Sequence, residues 1–348
     1  MTSPPPIPVP RAPYFDQTLK AWVLTRYEDV LAALREPRLT AAGARGGGGL
    51  ERAAHLRFRR EAGGLVAEML DDPRLADAEA LAHDIASRLL AKGQPVDLVS
   101  ELARPWALQL ADCLCRPHGD PARIHSLAGD IFAAAAEPLD GALQSRAEAS
   151  TVALSACFPG RPAAFYLQAY VALSQTLPCF LAGAWLALQN DREQAMTLQQ
   201  QPGLMPAAIE ELLRHSGPAQ AQFRRASEEV VLGGAAIQEG DRAALMIAAA
   251  NRDPAQFPGP DRLDFRRPGD TPRHLAFGEG SQSCVGAPLV RAASAVATTV
   301  FVQHFCGAAM TSRQPAAWRG GFAISAPACL WVSPTEDLKS STTSAGGC

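Results

Sequence analysis

Apolar positions along the chain recur mostly at helical spacing, with strand-length runs confined to the two ends. The segment "AWVLTR" (21–26) has the length and branching of a strand, and "YEDVLAALREP" (27–37) carries a helical stripe stopped by Pro37. The stretch "AAGARGGGGL" (41–50) has no period and reads as a flexible glycine loop. From Leu56 to about Cys115 the pattern is helical, broken at "DDPRL" and "KGQPVDL", and a further helix is predicted over 121–136. The region from there to Gly160 is poorly patterned. After residue 217 short apolar runs alternate with Gly-Gly, Glu-Gly-Asp and Asp-Pro turns, which predicts strands. A helix is predicted from Val285 to about Phe305, and strands follow in "GGFAISAPACLWVSP".

From Pro162 to Asn190 the chain runs for 29 residues without a charge, about 40 Å as a helix and long enough to cross a bilayer. Gln168, Ser174, Gln175, Thr176 and Pro178 interrupt it, and no aromatic or basic belt brackets it, so a buried central helix is expected rather than a membrane span. The chain is read as mainly α with a minor β portion. It divides into a proline-rich extended N-terminus (1–13), one domain (14–338) and a disordered tail (339–348).

Composition adds exclusions. With 348 residues, 47% hydrophobic and a net charge of −3, the chain has the makings of a large core and no electrostatic reason to bind nucleic acid. Its first residues, "MTSPPPIPVP", do not form a secretory signal. Eight cysteines at 113, 115, 157, 179, 284, 306, 329 and 348 include no CxxC pair, which argues against structural zinc and fits free thiols in a reducing cytoplasm.

One of those thiols stands apart. In "HLAFGEGSQSCVG" (274–286), Cys284 lies among three glycines and just before a predicted helix start, whose dipole favours a thiolate. Glycine there permits tight turns and close approach of a flat group, although an inert packed thiol in a glycine turn satisfies the same pattern.

The segment "FGEGSQSCVG" resembles the cysteine loop of the cytochrome P450 family, with Phe277, Gly280, Cys284 and Gly286 in place. Similar pieces occur in order elsewhere: Glu211 and Arg214 in "EELLR", Arg267 in "PDRLDFRR", the meander-like 250–265, and the first strand and helix over 22–39. The resemblance implies a cytochrome P450-like fold in which Cys284 is the thiolate ligand of haem b iron and Glu211, Arg214 and Arg267 form a structural ion cluster. It further implies that His55, Arg59 and Arg224 meet the haem propionates, with Arg225 a one-step alternative to Arg224. Gln282 stands two before the cysteine, where the family usually has His or Arg; it can donate a hydrogen bond without adding charge. Phe277 and Gly286 complete the cofactor loop.

Two departures stand out. The family's distal Ala-Gly-x-(Asp/Glu)-Thr corresponds to Ala172-Leu173-Ser174-Gln175-Thr176, so that Thr176 remains, Leu173 replaces the glycine and Gln175 replaces the acid. Gln175 can orient a water but cannot donate and regain a proton, and Leu173 is expected to narrow the distal space. Ser174 and Thr176 are equally suited to bonding the preceding helical turn. Only fifteen residues (40–54) separate Leu39 from His55, and 121–160 is short for the helices that normally roof the pocket, so shortened roof loops are expected. The resemblance thus implies a monooxygenase acting on a small-molecule or carrier-bound substrate, with electrons from a separate ferredoxin docking on Arg52, Arg57, Arg60 and Arg291. The altered distal helix also suits peroxide-driven oxidation, dehydration, rearrangement or cyclisation, and a haem-free binding module is the third reading.

Overall fold

The computed structural model describes residues 8–41, 49–311 and 317–333, with backbone only at 41 and 49–52. Helices start where the sequence supplies a cap. The Asp72 carboxylate accepts from the Arg74 amide at 3.0 Å and opens Pro73–Ala91; Asp120 accepts from the Arg123 amide at 3.0 Å and opens Pro121–Ala136. Both helices place proline in the first turn, where the missing N–H costs nothing. Asp140 does the same for Gly141–Ser155, accepting from the amides of Ala142 (2.9 Å) and Leu143 (3.0 Å). That helix occupies the region whose pattern predicts no element. Only Ala147, Ser150 and Leu154 of it are buried, so no wide apolar stripe marks it, and its cap and alanine content define it instead. It folds back on Pro121–Ala136, with the Ser150 hydroxyl donating to Asp130 at 2.9 Å.

The charge-free stretch is one helix, Ala163–Asn190, long and apolar enough to cross a bilayer but mostly buried inside the fold, as expected of a core helix. Trp185 stacks on Phe301 of the helix Ala287–Phe305, ring centroids 5.1 Å apart. A five-stranded sheet flanks the helices in the order Tyr14–Asp16, Ala21–Leu24, Arg242–Leu245, Gln222–Ala226, Leu39–Ala41. Its pairing is antiparallel except between Ala21–Leu24 and Arg242–Leu245, where Trp22 faces Ala243. A hairpin, Trp318–Gly320 with Ser325–Pro327, crosses the helix Pro121–Ala136, the Ala323 amide donating to Ala136 at 2.9 Å. The mainly α architecture with a small β portion is the one the sequence predicts.

Two boundaries differ. The helix Gly49–Leu70 begins inside the expected glycine loop, whose residues 42–48 lie outside the described part, as does the tail 339–348. The helix after the cysteine begins at Ala287 rather than Val285, with Gly286 at its N-cap.

Glu211 is buried between two arginines. Arg214 Nε and Nη2 donate to its two oxygens at 2.8 Å each, and Arg267 Nε donates at 2.9 and 3.0 Å. Arg214 also reaches the carbonyls of Asn251 (2.9 Å) and Pro260 (2.8 Å), which ties the helix Met205–Ser216 to the irregular segment 251–267. Removing one partner strands the others in a medium that cannot solvate them. Glu211→Ala is therefore expected to cost about 3–5 kcal/mol of unfolding free energy, measured by urea titration.

Candidate functional site

The cysteine loop is built on two left-handed glycines. Gly278 and Gly280 have φ of +69° and +73°, and a Cβ at Gly280 would stand 3.1 Å from the Leu34 carbonyl oxygen. L-residues with side chains are strained at both. Gly286 is different, with φ −77°, open to any residue; what it contributes is a backbone amide. The Cys284 amide donates to the Phe277 carbonyl at 2.8 Å and closes the loop. Cys284 is an exposed residue, yet desolvation pushes its thiol pKa up, opposed by hydrogen bonds from the Gly286 and Ala287 amides and by the cations Arg59 and Arg291.

Two of the predicted basic residues bond this loop, and a third lies next to it through Gln222. His55 Nε2 is 2.9 Å from the Ser281 carbonyl, so the ring donates there. Arg59 donates to the Ser283 carbonyl at 2.5 Å and to its hydroxyl at 3.1 Å. Arg224 is 9% exposed; it donates to Gln222 Oε1 at 2.8 Å and to the Phe223 carbonyl at 3.1 Å, and burial pulls its pKa down. No carboxylate pairs with it among the described residues. Gln222 reaches the loop in turn, since a Cβ at Gly278 would lie 3.6 Å from its amide nitrogen. Strand alternation decides between the two candidate arginines: Arg225 points out and donates to the Gly240 carbonyl at 2.8 Å. Gln282 is half-buried in the turn Gly280–Gln282. Phe277 lies beneath Arg291, whose guanidinium is 4.8 Å from the ring centroid.

Of the expected basic docking patch, Arg57 and Arg60 are exposed, whereas Arg291 is engaged by Glu210 at 2.5 and 2.9 Å; the Arg52 side chain lies outside the described part. Burial alone would raise the Glu210 pKa, but His274 and Arg291 beside it hold it down at about 2.

The predicted distal stretch Ala172–Thr176 is a π turn, with the Leu177 amide bonded to the Ala172 carbonyl. Pro178 follows, lacks an N–H and cannot close a regular helical bond to Ser174, and the widened turn absorbs the defect. Leu173, Ser174 and Gln175 are buried; Ala172 and Thr176 remain half-buried. Leu173 is 1% exposed and packs in the main core, so it does not narrow an open distal space as the sequence suggests.

Gln175 joins a cluster that no sequence motif announces. Its amide oxygen accepts from Arg319 of the hairpin, which leaves its NH2 group facing His125 Nδ1 at 3.1 Å and puts the imidazole proton on Nε2. Arg319 also lies over the Phe132 ring, 4.6 Å from its centroid, and Phe132 packs with Cys179. Arg104 completes the group; its Nε is buried without an acceptor among the described residues. Desolvation, Arg319 and Arg104 lower the His125 pKa, with Asp112 opposing. A separate cavity of about 440 Å³ lies between Gly183, Leu186, Ser216, Trp318 and Pro327; neither Cys284 nor Thr176 lines it, which sets it apart from both the cysteine loop and the distal turn.

The profile of the family described as Cytochrome P450 matches residues 186–319. The chain is 31% identical to Mycinamicin IV hydroxylase/epoxidase of Micromonospora griseorubida, over 87% of this chain and 85% of that one. It is likewise 31% identical to Cytochrome P450-SU2 of Streptomyces griseolus, over 82% and 80%. The crystal structure of HinD with NMFT and NO superposes with a TM-score of 0.71 at 27% identity, covering 90% of each chain.

Several histidines have pKa values below the ordinary 6.5: His125, His304 through burial and His83, and His215, taken to about 4 by burial, Arg252 and Arg214. The unfolded chain binds protons at these residues first, so folding stability falls as pH drops from about 6.5 toward 4. Arg319→Gln removes one cation from His125, and its pKa is expected to rise toward the ordinary value without reaching it, as read by NMR titration of the imidazole.

Proposed function

The chain belongs to the cytochrome P450 family, and on that premise we propose that it is a cytoplasmic haem-thiolate monooxygenase of bacterial specialised metabolism, acting on a small molecule with electrons from a ferredoxin-type partner. The observation that carries the reading is that His55 and Arg59 bond the loop holding Cys284, beside two backbone amides, while the buried Arg224 is bonded to Gln222, which lies against the same loop. A relative named for hydroxylation and epoxidation of Mycinamicin IV supports the substrate class.

The residues fit the group. A guanidinium as buried as Arg224, bonded only to neutral oxygens, is costly unless an anion approaches it, and a haem propionate is such an anion. Arg59 likewise has no carboxylate partner among the described residues. Cys284 would ligate the iron, and Arg59, Arg224 and His55 would hold the propionates, with Gln282 as a neutral donor. The cysteines contain no CxxCH spacing for covalent attachment, which favours haem b. When bound, haem iron with an axial thiolate supplies oxygen activation.

The protein's own contribution follows from charge. The amides of Gly286 and Ala287, with Arg59 and Arg291 nearby, oppose the desolvation that on balance holds the Cys284 thiol above its ordinary pKa, so the bound iron would complete the stabilisation of the thiolate. Phe277 and Val285, packed on the core, keep the loop's inner side dry. Thr176, half-buried at the end of the π turn, holds a hydroxyl that can bind and pass a proton, while Gln175 positions Arg319 and His125 and carries no titrating proton. Arg57 and Arg60 offer the exposed positive charge for an acidic electron donor.

A second reading rests on Gln175. Without the distal acid, peroxide-driven or redox-neutral chemistry competes with the electron-fed reaction. Turnover with a surrogate ferredoxin system, with peroxide alone and with neither separates them; turnover only in the first retires the second reading. The haem-thiolate assignment itself is tested by Cys284→Ala. The unmodified protein, reduced under carbon monoxide, is expected to show the strongly red-shifted thiolate band and the variant to lose it. Absence of the band in the first, or persistence in the second, refutes the assignment.

A further inference from the structure

The cluster around Gln175 has a charge imbalance. Arg319 and His125 both bond Gln175, Arg104 opens the helix that packs on the same turn, and no carboxylate among the described residues forms an ion pair with any of the three. Asp112 is the one acid in range; it accepts from the Tyr170 hydroxyl at 3.0 Å, and its own burial raises its pKa. Asp130 is taken by Arg146 and Ser150, and Glu137 by the Phe322 amide at 3.2 Å. Among the described residues, then, Arg319 bonds a neutral amide oxygen and no carboxylate, and the buried Nε of Arg104 has no acceptor. Position 175 is where the family pattern places an acid. A carboxylate there would neutralise Arg319 from within; glutamine leaves that charge for something else.

We propose that Arg319, with Arg104 and His125 beside it, binds the carboxylate of an organic-acid substrate, next to the distal turn that ends in Thr176. The identification of this ligand as substrate rests on the haem-thiolate reading; the anion site itself does not. Arg319 sits over Phe132 in an apolar cluster with Cys179 and Ala326, so water competes poorly for its free donors, and a planar carboxylate matches the guanidinium fork. The neutral Gln175 fixes the fork's orientation while the ligand brings the missing negative charge.

The test is calorimetric titration of the haem-loaded full chain at low salt with decanoate, its neutral counterpart decanamide, and inorganic phosphate. Decanoate is expected to bind at least about tenfold tighter than decanamide, the scale of one charge-assisted contact. Arg319→Gln and the nearly isosteric Gln175→Glu should each bring that ratio close to one, with decanamide binding and the unfolding midpoint unchanged. The near-isosteric variant keeps the test meaningful if loss of Arg319 harms folding. A ratio near one in the unmodified protein, a ratio untouched by Gln175→Glu, or displacement of decanoate by equimolar phosphate overturns the proposal; the last would mean a site for free anions. A missing thiolate band with the ratio intact overturns the haem-thiolate reading and leaves the anion site standing, whereas an intact band with a ratio near one overturns the anion site alone.

Discussion

The Glu211 carboxylate, buried between Arg214 and Arg267, is the constraint on which the cysteine loop depends. One acid faces two cations, and the remaining charge is met by carbonyl oxygens of residues 251, 258, 260 and 262. Those carbonyls belong to a segment with almost no regular hydrogen bonding of its own, so the ion cluster stands in for secondary structure there. The order passes on directly. Asn251, whose carbonyl accepts from Arg214, uses its side chain to accept from the Leu275 amide at 2.7 Å, and Leu275 leads into the glycine turns before Cys284. The position of the thiol is thus fixed from a helix over sixty residues away in sequence by charges that cannot find water.

What was legible in the sequence was local. The glycines and cysteine of 278–286 lie in one loop, and His55 and Arg59 sit four apart on one helix, so spacing alone placed them together. Strand alternation, which separates Arg224 from Arg225, was available in principle but needed the phase of the strand. The helix Gly141–Ser155 leaves no periodic trace because its partner covers too little of it to demand an apolar stripe. The direction of Leu173 could not be read either: a π turn breaks the 3.6-residue phase, and a wheel drawn across 172–176 assigns the wrong face. Arg104, His125, Gln175 and Arg319 come from four distant elements, and no spacing rule joins them.

Among the described residues two π turns occur, each one residue before a proline: Val99–Ala103 before Pro105, and Ala172–Thr176 before Pro178. In each, the amide after the turn reaches back five residues, from Arg104 to Val99 and from Leu177 to Ala172. The helix Arg104–Cys115 packs directly on the second turn. Two prolines therefore shape the two sides of the same polar cluster, one presenting Arg104 and the other Gln175. The Cys179 thiol donates to the Gln175 carbonyl at 3.2 Å, adding a bond to a backbone group at the widened turn. A helix interrupted in this way exposes polar backbone inside a core, which is stable only where side chains answer it. The place where the chain tolerates that interruption is also where it keeps uncompensated positive charge, and one economical origin for both is a ligand that enters there and supplies the missing partner.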